Sequence, residues 1–415
     1  MANSQIFTAA LIWIIAWGAV GGIVTPRIYA RRDLDVSQAT LGGALVGAAL
    51  GPFGLIPLWI VTPAITNWIN GVAAVIVAGI LVAAFALAYP ENLCVTNPQF
   101  MVSQLTNGIV IGLIYSLMAL GLTLIYSILG IVSFAHGEFY MIGGMVVYFM
   151  SASALFGEAS ALVWLLGAAL VTFLIGAVFE VLFLRPMGEG KIERPKEYAI
   201  LVTFGLAFFL QYLVQALAGA SPVRAPRFFD FPAVALPSEE DPYLLRMTAG
   251  NLQLFDTVSI PNPRFTAAVI SILLLLVLMW FLYRTWTGRG LRAVSQDRQA
   301  ASVAGINPNR MNTLAFALGG MLAGLSGAAL VQVFAWLPQV GIPASARAFV
   351  IIVLGGMGSM PGAFVGAIIV GLVEALGAGC VPDPTRAAAY IPAYGMIILT
   401  LTLLLKPTGL FGREL

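Results

Sequence analysis

The chain holds one histidine, His136, two residues before a carboxylate in Ser133-Phe-Ala-His-Gly-Glu-Phe-Tyr140, between two apolar runs. Ionisable groups near membrane depth are costly and usually face a cavity or a partner. Two readings stand for His136 and Glu138. They are a polar element beside a substrate path, or a helix-end feature that satisfies backbone groups at the cytoplasmic surface. Glu180 and Glu374 also fall within apolar runs; each either pairs with a buried polar group or sits near a span end. A Ser-His-Asp triad would have to use His136, and nothing around it favours one. No H-E-x-x-H or paired-cysteine metal pattern occurs, and Gly188-Glu-Gly-Lys191 lacks the spacing and the Ser/Thr of a phosphate-binding loop. The chain therefore binds no ATP through a P-loop. Cys94 and Cys380 are too few and too far apart to read as a disulfide framework or a zinc site, and a structural role is expected for both.

A second group lies in the basic stretch Gly288–Pro308. Leu291, Val294, Ala301 and Val303, with the intervening Arg and Asp, read as a short amphipathic helix. Gly305 would end it, and Asn307-Pro308 would start the next turn. The helix either docks on another protein or lies on anionic lipid, which its arginines would suit.

These residues must be positioned by an apolar framework. Hydrophobic residues make up 60% of the chain and charged residues 9%, against roughly 25% charged in an ordinary soluble domain. The 44 glycines suit helices packed closely in lipid. A net charge of +2 is too small to suggest a nucleic-acid partner, and none is expected. The expected fold class is all-α: a polytopic integral membrane protein of about 11 spans, at 7–25, 39–61, 71–89, 101–118, 119–133, 139–156, 160–184, 198–219, 265–283, 311–336 and 388–405, each near the length a bilayer requires. The pair 101–118 and 119–133 has almost no polar connection and reads equally as one long bent helix. The apolar run Ile6–Val24 has no basic residue before it and reads as a retained helix rather than a cleaved signal.

Basic residues orient the spans. Arg185, Lys191, Arg194 and Lys196 mark loop 185–197 as cytoplasmic, and five arginines do the same for loop 284–310. Arg27, Arg31, Arg32, Lys406 and Arg413 would also lie inside, which puts the N-terminus outside. The stretch 347–376 is then expected to start and finish outside, as a re-entrant or broken helix pair turning at Gly355–Gly362; a plain cytoplasmic turn between short helices is the alternative. The proline-rich segment 220–264 is expected to be an ordered external loop, a partner contact or a lid on the bundle.

At these residues the chain resembles the branched-chain amino-acid ABC permeases of the LivH type. The resemblance rests on Asn107–Tyr126, Phe134–Gly143, Gly288–Asn307, Leu354–Ala363 and Lys406–Arg413, whose order and spacing match the family across roughly 100–413. It implies that the helix in Arg289–Gly305 couples to an ATPase subunit, with Arg289, Arg292, Asp297, Ala301 and Gly305 as candidate coupling residues; Gln296 stands where acidic residues are also common. It places Phe134, His136, Gly137 and Glu138, and Gly355, Gly356 and Gly358, near the translocation path. It implies a permease domain over 98–415, with 220–264 outside and 284–310 as the coupling loop. The usual permease begins near Gln104, so 1–97 would be an N-terminal membrane extension of about three spans, either a peripheral addition or a surface for another partner.

The function implied is a subunit of an ATP-driven importer in a bacterial or archaeal plasma (inner) membrane. An external binding protein would deliver leucine, isoleucine or valine, a second permease copy or paralogue would complete the path, and ATP and Mg would be bound by separate subunits, with no cofactor on this chain. Related permeases carry urea, amides or other amino acids. The rivals are an ion-coupled secondary transporter, which needs buried carboxylates at the midplane, and a membrane scaffold.

Overall fold

A computed structural model describes residues 92–229, 234–236, 245–247, 250–254, 258–380, 387–405 and 408–412, with a few isolated positions between 18 and 48. The expected spans at 7–25, 39–61 and 71–89 lie outside the described residues, as does the packing of the extension. The described chain is helical and polytopic: seven of its helices are long and apolar enough to cross a membrane.

After a single turn α1 (Leu93–Thr96), helix α2 runs from Pro98 to Leu129. Asn97 caps it, accepting from the Gln99 and Phe100 amides at 3.0 and 3.2 Å, with Pro98 at the first helical position. Gly130 ends it with φ +69°. The stretches 101–118 and 119–133 are therefore one helix, which removes a crossing from the count that put the N-terminus outside. Helices α3 (His136–Ala152), α4 (Ala161–Gly188), α5 (Pro195–Ala218) and α6 (Asn262–Arg284) follow. Between α5 and α6, the expected external loop contains a four-stranded antiparallel meander, β1 (Val234–Leu236), β2 (Leu245–Met247), β3 (Asn251–Leu254) and β4 (Val258–Pro261). The four strands are short, and the described residues remain overwhelmingly helical, as expected. The loop base is pinned by paired backbone bonds between Val223 and Trp336, at 2.8 and 2.9 Å.

The predicted amphipathic helix is two helices, α7 (Trp286–Gln296) and α8 (Arg298–Val303), broken at Asp297. Helix α9 (Pro308–Leu330) returns through the bundle, and α10 (Gly341–Gly355), α11 (Met360–Gly379) and α12 (Ala387–Leu405) complete it.

The centre is α2 and α9, buried along most of their length. An apolar helix in lipid gains little from burying more apolar surface, so close packing of small residues must hold the bundle. Gly143 of α3 lies against the backbone of Gly324 on α9, and Gly176 of α4 against Ala317. Helices α2 and α11 are antiparallel, with Gly108 against Leu372 and Gly112 against Ile368. At their shared end a disulfide joins Cys94 to Cys380, with Cα atoms 5.4 Å apart. The two cysteines are thus a long-range pair across 286 residues, which the sequence reading did not foresee.

Candidate functional site

Helix α3 does not start where α2 ends. His136 lies against Met118 and Gly121, its Nε2 at 2.8 Å from the Met118 carbonyl. A carbonyl accepts only, so Nε2 carries the proton. Residues 130–135 therefore fold back along α2 for some nine residues, about 14 Å at 1.5 Å per residue. Helix α10 also starts inside the bundle, with Gly341 against Gly137 and Glu138. Non-helical backbone at membrane depth needs internal partners. Ser345 supplies them: its Oγ accepts from the Gly137 amide at 2.7 Å and donates to the Phe134 carbonyl at 3.1 Å. Gly137 and Gly341 must be small, because a methyl on either would overlap the facing Gly341 carbonyl or Glu138 carboxylate.

Beside these two helix starts is a cavity of about 420 Å³, within the usual range for small-molecule sites. Leu122 of α2, the 132–134 connector, Glu138, α5 between 204 and 211, α10 between 342 and 349, and Met396 of α12 surround it. Its walls are mostly aromatic and aliphatic. Glu138 and Ser133 are 1% and 2% exposed, and neither Glu138 Oε2 nor Ser133 Oγ has a hydrogen-bond partner.

Glu374 is placed differently. It pairs with Arg347 Nε at 2.9 Å and accepts from the Tyr115 hydroxyl at 3.0 Å, while the Arg347 guanidinium also lies 5.7 Å from the Tyr115 ring centre. This network ties α2, α10 and α11 together.

A second polar cluster joins α7–α8 to the bundle. Thr285 caps α7, accepting from the Gly288 amide at 3.0 Å. Asp297 caps α8, accepting from the Gln299 and Ala300 amides at 2.8 and 2.9 Å. Gly305 then turns the chain with φ +84°, and the Asn307 side chain caps α9. Arg298 donates to the Asn309 side chain at 3.3 Å and reaches Asn312. One turn on, Thr313 hydrogen-bonds Glu180 and accepts from Arg185 at 3.3 Å. Glu180–Leu184 forms a π turn within α4, in which the Arg185 amide bonds the Glu180 carbonyl. That i→i+5 link puts residues 180 and 185 on one face; single π turns occur often at functional sites. Away from the bundle, Trp286, Arg289 and Val303 are exposed.

Residues 104–405 match the family model described as branched-chain amino acid transport system / permease component. The high-affinity branched-chain amino acid transport system permease protein LivH of Escherichia coli K12 is 32% identical over 321 residues, covering 76% of this chain and 96% of that protein. BraD of Pseudomonas aeruginosa, carrying the same description, is 31% identical over 75% of this chain and 95% of its own length. The fructose import permease protein FrcC of Rhizobium meliloti shares 36% identity over a shorter part, 30% of this chain and 37% of that protein. No solved structure shows a significant match. The chain belongs to the branched-chain amino acid permease family.

The expectation of a transport permease is met, and the permease brings some of the predicted residues together. Phe134 and Glu138 line the cavity, Gly137 packs against Gly341 and Ser345 beside it, and His136 is fully buried against α2. Gly355, Gly356 and Gly358 do not line it. They form the α10–α11 turn, where Leu410 and Phe411 donate backbone bonds to the Leu354 and Gly355 carbonyls. Of the five predicted coupling residues, Arg289 is exposed, 5.8 Å from the Trp286 ring centre, and Arg292 stacks on Tyr283 at 4.6 Å. Asp297 and Gly305 shape the turn, and Ala301 is turned inward. Val303, expected on the apolar face, is 91% exposed, because two residues on from the inward-turned Ala301 it lies on the opposite side of a helix of 3.6 residues per turn. Sequence reasoning passed over Arg347 and Arg298. Arg347 opens an apolar segment, and a cation there asks for a buried anion, which Glu374 provides.

Proposed function

We propose that this permease translocates leucine, isoleucine and valine across a bacterial or archaeal plasma membrane, as one half of a path completed by a second permease subunit. ATP bound by separate subunits drives it, and an external binding protein delivers the substrate. The observation carrying this reading is the α7–α8 unit. It is a capped helix pair with Trp286, Arg289 and Val303 presented outward, joined through Arg298 and the turn at Asn307 to α9, the helix at the centre of the bundle. A short basic helix pair so joined transmits motion at its outer face to the core. ATP would then shift populations between outward-open and inward-open states.

The cavity supports a paired assembly. Phe134, Ile342, Phe349 and Met396 are 41–54% exposed in the single chain, an open wall that a second permease closes. In the proposed topology, 189–194 and 285–307 face the cytoplasm, and 153–160, 219–229, the β1–β4 meander and Cys380 face outside. The α10–α11 turn then reaches the cytoplasmic end, beside Tyr126 and the 408–412 tail, and the pair starts and finishes outside. Residue 98 falls outside, which places the Cys94–Cys380 disulfide in the compartment where disulfides persist. Of the two carboxylates that fall within apolar runs away from the cavity, Glu374 is engaged by Arg347 and Glu180 by Thr313.

Affinity purification of the tagged chain in mild detergent tests the assembly. Recovery of P-loop ATPase subunits and a second permease is the expected result, and Arg289→Glu should reduce ATPase recovery. A chain that purifies alone under conditions that preserve other ABC complexes would overturn the coupling role of α7–α8.

A further inference from the structure

We infer that the cavity beside α3 and α10 is the seat of a zwitterionic α-amino acid, with Glu138 receiving the ammonium group, Ser133 donating to the carboxylate and the apolar walls holding an aliphatic side chain. The inference rests on the permease reading and adds the group that recognises the substrate. It starts from two orphaned polar atoms in one place. Glu138 Oε2 and Ser133 Oγ are both buried, both unpartnered, and both on residues lining the same cavity. A buried polar group without a partner is costly, and a buried carboxylate far more so.

Every other buried carboxylate with described surroundings in the bundle has an answer: Glu374 has Arg347 and Tyr115, and Glu180 has Thr313. Glu138 has only its place in the first turn of α3 and the start of α10 at Gly341. Helix N-termini carry partial positive charge and favour an anion there, but they supply no full cation. The missing partner is therefore a cation that comes and goes. An arginine or lysine from this chain would fill the seat permanently; a substrate ammonium fills it once per cycle.

The rest of the cavity narrows the class. Leu122, Phe134, Phe349 and Met396 offer aliphatic and aromatic surface with few further polar groups, which suits a hydrocarbon side chain. A sugar would leave hydroxyls unpaired against these walls. Urea and neutral amides lack the full positive charge that Glu138 requires. A keto acid would bring a second anion beside the first.

The test uses the full chain in its purified complex, without the external binding protein, whose own selectivity would otherwise mask the result. The two cysteines of the sequence are joined to each other, so Ala207→Cys, on the cavity wall, introduces a single free thiol. Its rate of reaction with a methanethiosulfonate reagent is followed against ligand concentration. L-leucine should protect it, while 4-methylpentanoate, which keeps the carboxylate and side chain but lacks the amine, and urea should not. Adding Glu138→Gln should weaken protection by leucine about 10- to 100-fold, the loss of a charge-assisted hydrogen bond, and Glu138→Asp should restore part of it. Equal protection by leucine and 4-methylpentanoate on the otherwise unaltered Glu138 protein would overturn the role of Glu138. So would a complex that leucine does not protect at all. ATP-driven leucine uptake by the wild-type complex in liposomes reports separately on the permease reading, so failure of the seat and failure of the importer are distinguishable.

Discussion

Replacing Glu374 with Gln, or Arg347 with Met, should destabilise the permease at least as much as replacing both. In the native chain Arg347 Nε is 2.9 Å from Glu374 Oε1, and Tyr115 donates to the other oxygen at 3.0 Å. The Glu374 side chain is 7% exposed and that of Arg347 31%. Removing one member strands the other's charge among apolar helices, a change worth about 3–5 kcal/mol. The partial exposure of Arg347 puts the cost near the lower end, about 3 kcal/mol for each single variant. The double variant strands no charge. It should cost no more than either single change, about 3 kcal/mol, giving a coupling energy of at least about 3 kcal/mol. The assay is the midpoint of denaturation in mixed SDS–detergent micelles for the four proteins, read by circular dichroism. Two single costs that simply add in the double variant would refute the argument, because the pair would then not act as a unit. A double variant that is stable yet transports nothing would show that the network also serves the transport cycle.

Two further outcomes follow from the geometry. Asp297→Ala removes the α8 cap and should cost about 0.5–2 kcal/mol, with Asp297→Asn keeping most of the stability, measured by the same denaturation; equal losses for both variants would point to a role for the charge itself. Cys380→Ser should open the link to α1 and cost about 2–5 kcal/mol. Mass spectrometry after alkylation without reductant should find no modified cysteine in the native protein and one in the variant, and two alkylated cysteines in the native protein would contradict the pairing.

Much of the bundle was legible because spans are long apolar runs and their ends carry ordinary caps. Gly305 stops a helix with positive φ and Asn307-Pro308 starts the next, as read, whereas the cap at Asn97-Pro98 and the stop at Gly130 went unread. The tie between 101–118 and 119–133 could not be broken by hydropathy, since a helix apolar on every side gives no signal of where it ends. The break at Asp297 was hidden for a different reason. Aspartate is tolerated within a helix and favoured as a cap, and only the surrounding packing selects between them. The Cys94–Cys380 and Arg347–Glu374 pairs join residues far apart in the chain, and no local pattern announces such contacts. The motif around His136 and Glu138 showed that something polar lay between apolar runs. That it folds back beside Met118, and that Gly341 begins a second helix against it, is a tertiary fact.

The most direct measurement is uptake of labelled L-leucine into liposomes holding the complete complex, with the binding protein supplied on the outer side and ATP on the other. Uptake should require ATP hydrolysis and continue when ionophores abolish every ion gradient. Uptake by this chain without ATPase subunits, lost on dissipating an ion gradient while ATP remains, would contradict ATP-driven import.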